Sequence, residues 1–384
     1  MEIVLCITGS IAAVESVKLA RELKRQGMNV TCFMSNDACK IIHPNSMEFA
    51  TGNKVVLELT GDIEHVKHAQ ADLILVAPTT ANLISKFAYK IADNSISTLL
   101  ITAYGYSTPI IFVPSMHESM YKAVSENIER CKAEGVVFID PKKEESKAKF
   151  PSIHDITLQA LRELSDGKLK DKKVVITLGG TYEEIDSVRG ITNRSSGKMG
   201  MALAKEAFIN GADVTLISGS LKVHVPKILD NIKINSTDEM KNEIIKIIPE
   251  TDILISAAAV SDFTVEKNSN KHKISSTEDL ILHLKKTPKI IDRIKEINPN
   301  ILLVGFKAEY NVSQQELISL TCKKMESSKA DLMIGNDVSI EGAGFGSDKN
   351  QVIIVDKNIV TIPLTSKTEV AKKIIQKIIK KLDS

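Results

Sequence analysis

The stretch Ile3-Val4-Leu5-Cys6-Ile7-Thr8-Gly9-Ser10-Ile11-Ala12-Ala13 decides how the first half of this 384-residue chain is read. Residues 3–8 form an unbroken apolar run, the signature of a strand buried on both faces of a parallel sheet. Gly9-Ser10 then turns the chain, and Ala12, Leu19, Ala20 and Leu23 fall on one face of a following helix that stops at Gly27. Working outward, strand patterns recur at 29–34, 72–77, 109–114 and, briefly, 136–139, with helical stretches after most of them. Such alternation implies a doubly wound parallel sheet, whose ligands bind outside the carboxyl ends of the strands.

Residues 141–153 interrupt the pattern. Pro141-Lys142-Lys143-Glu144-Glu145-Ser146-Lys147-Ala148-Lys149-Phe150-Pro151 is charged and poor in apolar residues, and by itself reads as a solvated linker. A helix is expected over 153–165, ending at Asp166-Gly167. The strand–turn pattern restarts at 173–178, with Gly179-Gly180 as its turn, and continues at 213–218, 252–257, 301–306 and 331–335. A hairpin at 350–355 and 359–363 and an amphipathic helix over 366–382 finish the chain. The expected domains are 1–168 and 169–384, both α/β.

Composition bounds the partners. Lys and Arg number 50 against 48 Asp and Glu, a net charge of +2, and only 4% of residues are aromatic. There is no global electrostatic footprint for nucleic acid and few stacking platforms, so none is expected. The five cysteines show no CxxC spacing and read as reduced thiols. No apolar run approaches 18 residues, so no membrane partner is expected; with no signal-like start either, the location is read as cytoplasmic.

Candidate chemistry sits at the strand ends. Thr8-Gly9-Ser10 combines a glycine, a hydroxyl and a helix start, which suits a phosphate; it is not GxGxxG, so the dinucleotide fingerprint is absent. Ala77-Pro78-Thr79-Thr80-Ala81-Asn82 places hydroxyls and an amide where a helix begins, which an N-cap alone would also explain. Pro114-Ser115-Met116-His117 is a second polar cluster. His65 and His68 precede the third strand without a third ligand at metal-like spacing. In the second half, a long polar insertion runs from Glu183 to Ser196 before Gly197-Lys198-Met199-Gly200. Strand-to-helix loops are usually much shorter, so this one is read as functional. Ser196-Gly197-Lys198 mimics part of a P-loop, but its spacing is wrong and Met199 stands where Ser or Thr should bind magnesium.

Taken in order, Gly9-Ser10-Ile11-Ala12-Ala13, His65-Val66, Ala71-Asp72, Ala77-Pro78-Thr79-Thr80-Ala81-Asn82 and Pro114-Ser115-Met116 with Met120 resemble the flavin-dependent cysteine decarboxylases, specifically the phosphopantothenoylcysteine decarboxylase half of a bifunctional coenzyme A enzyme. The resemblance covers about residues 3–140. It implies bound FMN, with Gly9 and Ser10 at its phosphate and Ser35, Pro78, Thr79, Thr80 and Asn82 near the ribityl chain and ring. It implies His65 as catalytic acid/base, with His68 the weaker candidate, and His117 as the group that holds the substrate. The flavin would oxidise the substrate's cysteine thiol, ease loss of the carboxylate, and return its electrons. Three departures stand out. The His65-to-Asp72 spacing is one residue short, and His117 replaces the family's usual Asn. The flap, which would be the 142–150 region, lacks the family's cysteine. In that reading the region is a substrate flap rather than a linker, with Lys147 and Lys149 as candidate phosphate ligands.

The second half resembles phosphopantothenate–cysteine ligases over essentially all of 172–384. The carriers are Gly179-Gly180-Thr181, Asp186, Val188, Arg189, Ile191, Asn193, Ser195-Ser196-Gly197-Lys198-Met199-Gly200, Ala257 to Phe263, Lys273-Ile274, Gly305 to Glu309, Asn336-Asp337 and Phe345 to Asp348. The implied reaction is attack of the phosphopantothenate carboxylate on a nucleotide α-phosphate, then displacement of the nucleotide by the amine of cysteine, with Mg2+ assisting. Asn193 would polarise the acyl intermediate. Ala258, Asp262, Lys273, Pro288, Lys289, Ile290, Ile291, Phe306 and Lys324 would contact the nucleotide. Ser275 and Ser276 stand where relatives have lysines, and Lys329 would stand in for a second family lysine, shifted by one position. The fused arrangement favours CTP over ATP.

The whole is therefore expected to be α/β, with two doubly wound domains: an N-terminal flavodoxin-like or Rossmann-like flavoprotein and a C-terminal Rossmann-like ligase. The resemblance implies trimeric flavin domains and dimeric ligase domains, together a possible dodecamer. Two alternatives remain at this point: an active ligase carrying a degenerate flavin-binding domain, and an NAD(P)-dependent oxidoreductase, against which the missing GxGxxG argues.

Overall fold

The computed structural model describes residues 1–140, 142–144, 147–266, 273–274, 280–344 and 346–383. Glu145, Ser146, Ser275, Ser276 and Phe345, singled out in the sequence, lie outside the described residues, as do the side chains of Lys147 and Lys149. The chain divides into two compact units, Met1–Ser165 and Asp166–Ser384.

The first unit is built on a six-stranded sheet. Its strands are β1 (Glu2–Ile7), β2 (Asn29–Met34), β3 (Val55–Val56), β4 (Leu73–Thr79), β5 (Ile110–Pro114) and, after a two-residue β6 (Met116–His117), β7 (Val137–Phe138). The order is β3-β2-β1-β4-β5-β7 and every pairing is parallel. Strand propensity alone does not set this order. β1 and β4 are buried along nearly their whole length and must lie centrally, whereas β3 and β7 are short and only half-buried, as edge strands can be. Two apolar clusters cover the faces. One joins Leu5, Leu19, Leu23, Met47 and Ile156; the other joins Val4, Phe87, Leu99, Phe112 and Ile128.

In this sheet the order reverses between β1 and β4, as in Rossmann rather than flavodoxin sheets, and the crevice at that reversal is where a ligand is expected. The segment read first as a linker is instead a hairpin of β8 (Lys142–Glu144) and β9 (Lys147–Lys149). β9 pairs antiparallel with β6, Met116 opposite Ala148 and His117 opposite Lys147. Charge-rich sequence hid this small three-stranded sheet, β6-β9-β8, because it offers no alternation of apolar and polar residues from which a strand can be read.

The second unit repeats the plan. Its long strands are β10 (Lys173–Leu178), then, after a short hairpin β11 (Tyr182–Glu184) and β12 (Gly190–Thr192), β13 (Asp213–Ser218), β14 (Asp230–Lys233) and β15 (Ile253–Ser256). A second short pair, β16 (Phe263–Val265) and β17 (Leu284–Lys286), precedes β18 (Leu302–Glu309), β19 (Leu332–Asp337), β20 (Lys349–Val355) and β21 (Ile359–Ser366). The sheet order is β14-β13-β10-β15-β18-β19-β20-β21. The first six strands are parallel and the closing β20–β21 hairpin is antiparallel. The reversal point is again beside the first strand, between β10 and β15. The insertion after Gly179-Gly180 folds as the β11–β12 hairpin rather than as coil. Gly179 sits at φ +83°, and a Cβ there would come within 2.5 Å of the Ser220 carbonyl oxygen, so only glycine turns the chain at this point.

Candidate functional sites

In the first unit a cleft of about 320 Å3 opens at the carboxyl end of the sheet. Thr8 and Gly9 follow β1, Ser35, Asn36 and Asp37 follow β2, and Thr80, Asn82 and Leu83 follow β4; Lys86, Asn94, Ser95 and Ile96 complete one wall. Gly9, Ser35, Thr80 and Asn82, picked from three separate stretches of sequence, are thus brought together. A methyl group on Gly9 would collide with the side chain of Asp37, so the glycine lets the β1 and β2 turns close on each other. The Ser35 hydroxyl accepts from Ala38 N–H at 3.2 Å and the Thr80 hydroxyl from Leu83 N–H at 3.4 Å, each capping a helix. The Asn82 amide makes no hydrogen bond with the described residues. Ser10 donates to the Ser115 carbonyl at 3.2 Å, joining the first turn to the end of β5.

Pro78 and Thr79 lie behind this wall. Ala77–Pro78 is cis, and the Pro78 carbonyl accepts from the Thr8 hydroxyl at 2.8 Å. Thr79 is fully buried; its hydroxyl donates to the Val76 carbonyl at 2.7 Å and accepts from Val113 N–H at 3.0 Å. Its polar atoms are spent on the β4–β5 irregularity, so the structure gives Thr79 a scaffold position. Lys86, Asn94 and Ser95 were not read as site residues. Their signal is weak because they lie on helix turns whose closeness to Gly9 depends on the sheet order.

The two histidines separate clearly. His68 Nδ1 lies 3.3 Å from Glu2 Oε1, and its ring stacks edge-on against Phe33 at 5.7 Å. These are packing contacts. His65, one turn earlier on the helix Glu64–His68, keeps Nδ1 buried without a hydrogen-bond partner. A buried polar atom left unpaired is costly and uncommon; among the described residues only Asp155 Oδ1 and Thr157 Oγ1 share that state. His65 does not line the cleft described above. His117 is exposed and caps the helix Glu118–Ala123, its Nδ1 accepting from Ser119 N–H at 3.2 Å. That acceptor role assigns the ring proton to Nε2, the nitrogen left free to donate.

The second unit carries a narrower cavity, about 130 Å3, at the carboxyl ends of its strands. Ser195 to Gly200, Ala257 to Ala259, Phe306, Asn336, Asn350 and Lys367 are among its lining residues. Ala258 and Phe306 therefore meet there as read. Asn193 stands at the rim: its Nδ2 donates to the carbonyls of Ala259 (3.1 Å) and Val260 (3.3 Å). Asp186, its side chain fully buried, organises the hairpin tip. Oδ1 accepts from Val188 N–H (2.8 Å) and Arg189 N–H (2.7 Å), and Oδ2 accepts from Ile274 N–H (3.1 Å), which anchors the exposed Lys273 next to it. The backbone bond from Val188, helped by those from Ile274 and Arg189 and by the Arg189 charge, holds the Asp186 carboxyl below its ordinary range against the opposing pull of burial.

A second cluster gathers the remaining nucleotide candidates. Lys289 pairs with Asp262, Lys324 with Asp292 at 2.7 Å, and Ile290 and Ile291 pack on the same apolar cluster as Ala258 and Val260. Pro288 precedes them on the surface. Lys329 is not brought in. It caps the C-terminus of the helix Gln314–Ser328 at φ +54°, beside the start of β19, at the amino edge of the sheet. Sequence reasoning gave Lys367 no role; it stands some 170 positions from Lys198, and only the packing of their two helices brings them to one cavity. Among the described residues no group of three or more His, Cys, Asp and Glu is placed to hold a metal ion, and no helix is long and apolar enough to cross a membrane.

Comparison with known proteins agrees with both halves. Residues 1–164 match the flavoprotein family, and residues 169–382 match the DNA/pantothenate metabolism flavoprotein C-terminal domain. The chain is 48% identical to the coenzyme A biosynthesis bifunctional protein CoaBC of Thermococcus kodakarensis, over 99% of this chain and 95% of that one. The bifunctional proteins of Methanocaldococcus jannaschii (39%, 100% and 94%) and Bacillus subtilis (35%, 98% and 96%) are similar over the same extent. Two like-wound sheets, a flavoprotein match on one and a pantothenate-metabolism match on the other, and identity sustained from end to end place this chain in the family of bifunctional coenzyme A biosynthesis enzymes, which join a decarboxylase to a ligase.

Proposed function

We propose that the C-terminal unit (169–384) joins 4'-phosphopantothenate to cysteine with CTP, through an acyl-cytidylate, and that the N-terminal unit (1–168) decarboxylates the product to 4'-phosphopantetheine with FMN. The observation that carries this reading is the double crevice. Each sheet reverses its order beside its first strand, and part of the residues that the two family resemblances single out line the two crevices: Gly9, Ser35, Thr80 and Asn82 in the first, Ser195 to Gly200, Ala258 and Phe306 in the second.

In the N-terminal unit the donor set fits a flavin mononucleotide. Hydroxyls, an unpaired amide and the Lys86 ammonium surround a cleft that Gly9 keeps narrow. Gly9, Ser10 and Ser35 would hold the phosphate end; Pro78, Thr80 and Asn82 would hold the ribityl chain and ring, with Thr79 bracing them from behind. Bound FMN supplies the two-electron chemistry that makes loss of the carboxylate feasible. His65 takes up and returns the proton in the decarboxylation. His117 donates from Nε2 to the substrate carboxylate. The hairpin β8–β9, tied to His117 through β6, is placed to cover the substrate. With no cysteine in that hairpin, the proton that completes the product must come from another group.

In the C-terminal unit the phosphopantothenate carboxylate attacks the α-phosphate of a nucleotide that arrives as its Mg2+ complex, and pyrophosphate leaves. Asn193 polarises the acyl group for attack by the cysteine amine once its Nδ2 turns from the Ala259 and Val260 carbonyls, on which both its hydrogens are spent, to the acyl oxygen. Asp262 with Lys289, Lys273, Lys324 and the Pro288–Ile291 segment frame the nucleotide alongside Ala258 and Phe306. The reading extends to assembly: trimeric flavin units and dimeric ligase units in a cytoplasmic homo-oligomer. A monomer by light scattering would refute that part.

The test is one coupled assay. The protein, phosphopantothenate, cysteine, CTP and Mg2+ should yield pyrophosphate, CMP, CO2 and phosphopantetheine. Amide product without CO2 removes the decarboxylase half. His65→Asn should keep ligation and abolish CO2 release; retained CO2 release overturns the role of His65.

A further inference from the structure

The C-terminal cavity holds two lysines and, among its described lining residues, no acidic side chain. Lys198 opens the helix Lys198–Ile209 and Lys367 opens the helix Lys367–Leu382; the two helices pack together, so both ammonium groups reach one space. Lys367 is about nine-tenths buried. Its Nζ donates to the Ser347 carbonyl at 2.5 Å, and among the described residues no carboxylate lies within ion-pair distance of it. A buried cation held only by a carbonyl is short of the counter-charge that burial demands. Burial first, and then the nearby Lys198 charge, push Lys367 below the ordinary lysine value, while Asp348 opposes them. Lys198 Nζ donates to the Gly346 carbonyl at 2.7 Å and pairs with Asp348 at 2.6 Å, but that carboxylate is 89% exposed. An exposed pair of this kind is weak and readily exchanged for a better anion. Asn336 and Asn350 add amides to the same wall, and neither helix start carries an acidic residue on the cavity side that would repel an anion.

We propose that Lys198 and Lys367 form a phosphate-binding pair that grips a phosphoryl oxyanion of a ligase substrate. This rests on the ligase reading above and adds two residues to it. Lys367 would gain the counter-charge it lacks, and Lys198 would release Asp348 to water. Two substrates carry suitable oxyanions: the nucleotide triphosphate, and the phosphate monoester of phosphopantothenate.

Amide formation by the full chain, followed through pyrophosphate release, distinguishes them. CTP, phosphopantothenate and cysteine are varied one at a time in wild type, Lys198→Met, Lys367→Met and Lys367→Arg. Loss of one charge-assisted contact should raise the KM of one phosphate-bearing substrate by about ten- to hundredfold. Cysteine, which has no phosphate, should keep its KM, and Lys367→Arg should recover most of the loss. A shift in the CTP KM places the triphosphate on the pair; a shift in the phosphopantothenate KM places the monoester there. Unchanged KM values for both in both Met variants overturn the proposal, and so does an equal rise for cysteine, which a merely structural role would give. If Lys367→Met does not fold, the less buried Lys198→Met carries the test. A wild type that forms no amide refutes the ligase reading instead.

Discussion

Replacing Thr79 with Val separates scaffold from cofactor contact in the N-terminal unit. Valine keeps the shape of threonine, so no cavity opens in a site that is fully buried. What is lost is the hydroxyl that donates to the Val76 carbonyl and accepts from Val113 N–H. The Val113 N–H then has no partner among buried neighbours. A buried backbone donor left unsatisfied costs about 1–3 kcal/mol. Taking about 2 kcal/mol, and about 2–4 °C per kcal/mol for a unit of this size, Tm should fall by about 4–8 °C. The melt is followed by release of flavin fluorescence, with saturating FMN in both proteins so that mass action on the cofactor is equal. Flavin bound per folded molecule should be unchanged, because both hydroxyl bonds point into the sheet and not into the cleft. A variant that loses flavin while keeping its Tm would refute the reasoning and return Thr79 to the cofactor wall.

Three further outcomes follow from the same geometry. Cys6, Cys32 and Cys131 are buried whereas Cys39 and Cys322 are partly exposed, so iodoacetamide should modify at most those two in the native protein and all five in denaturant, read by intact mass. Burial, with the Glu134 charge adding to it, raises the Cys131 thiol from 9.0 to about 11. The folded state therefore holds a proton that the unfolded state gives up, and this contribution, complete below pH 9, should be lost as pH climbs toward about 11, read as a falling urea midpoint. Asp262→Asn breaks a surface pair with Lys289 whose partners are 62% and 54% exposed. Its stability should change by less than about 1 kcal/mol while the KM for CTP rises, and a large stability loss with an unmoved KM would contradict its place beside the nucleotide.

The sequence by itself was enough for the two α/β units, the position of the long strands other than β14, and the residues at their carboxyl ends. Those features are local: apolar runs, glycine turns and hydroxyls at helix starts are written within a few residues of one another. It also carried the family, through many short motifs in fixed order. It did not carry the pairing of Lys147–Lys149 with Met116–His117, because that charge-rich segment holds no apolar alternation from which a strand can be read. It ranked His65 above His68 only through the family resemblance; the physical difference, that Glu2 and Phe33, remote in the chain, claim the second, lies in the tertiary structure. Thr79 and Thr80 are adjacent in sequence, yet pleating sends one into the sheet and the other to the cleft. Lys198 and Lys367 meet only because their helices pack side by side. Local chemistry names the candidates; which of them share a cavity, and which are left without a partner, is set by strand order and helix packing between residues that the chain keeps far apart.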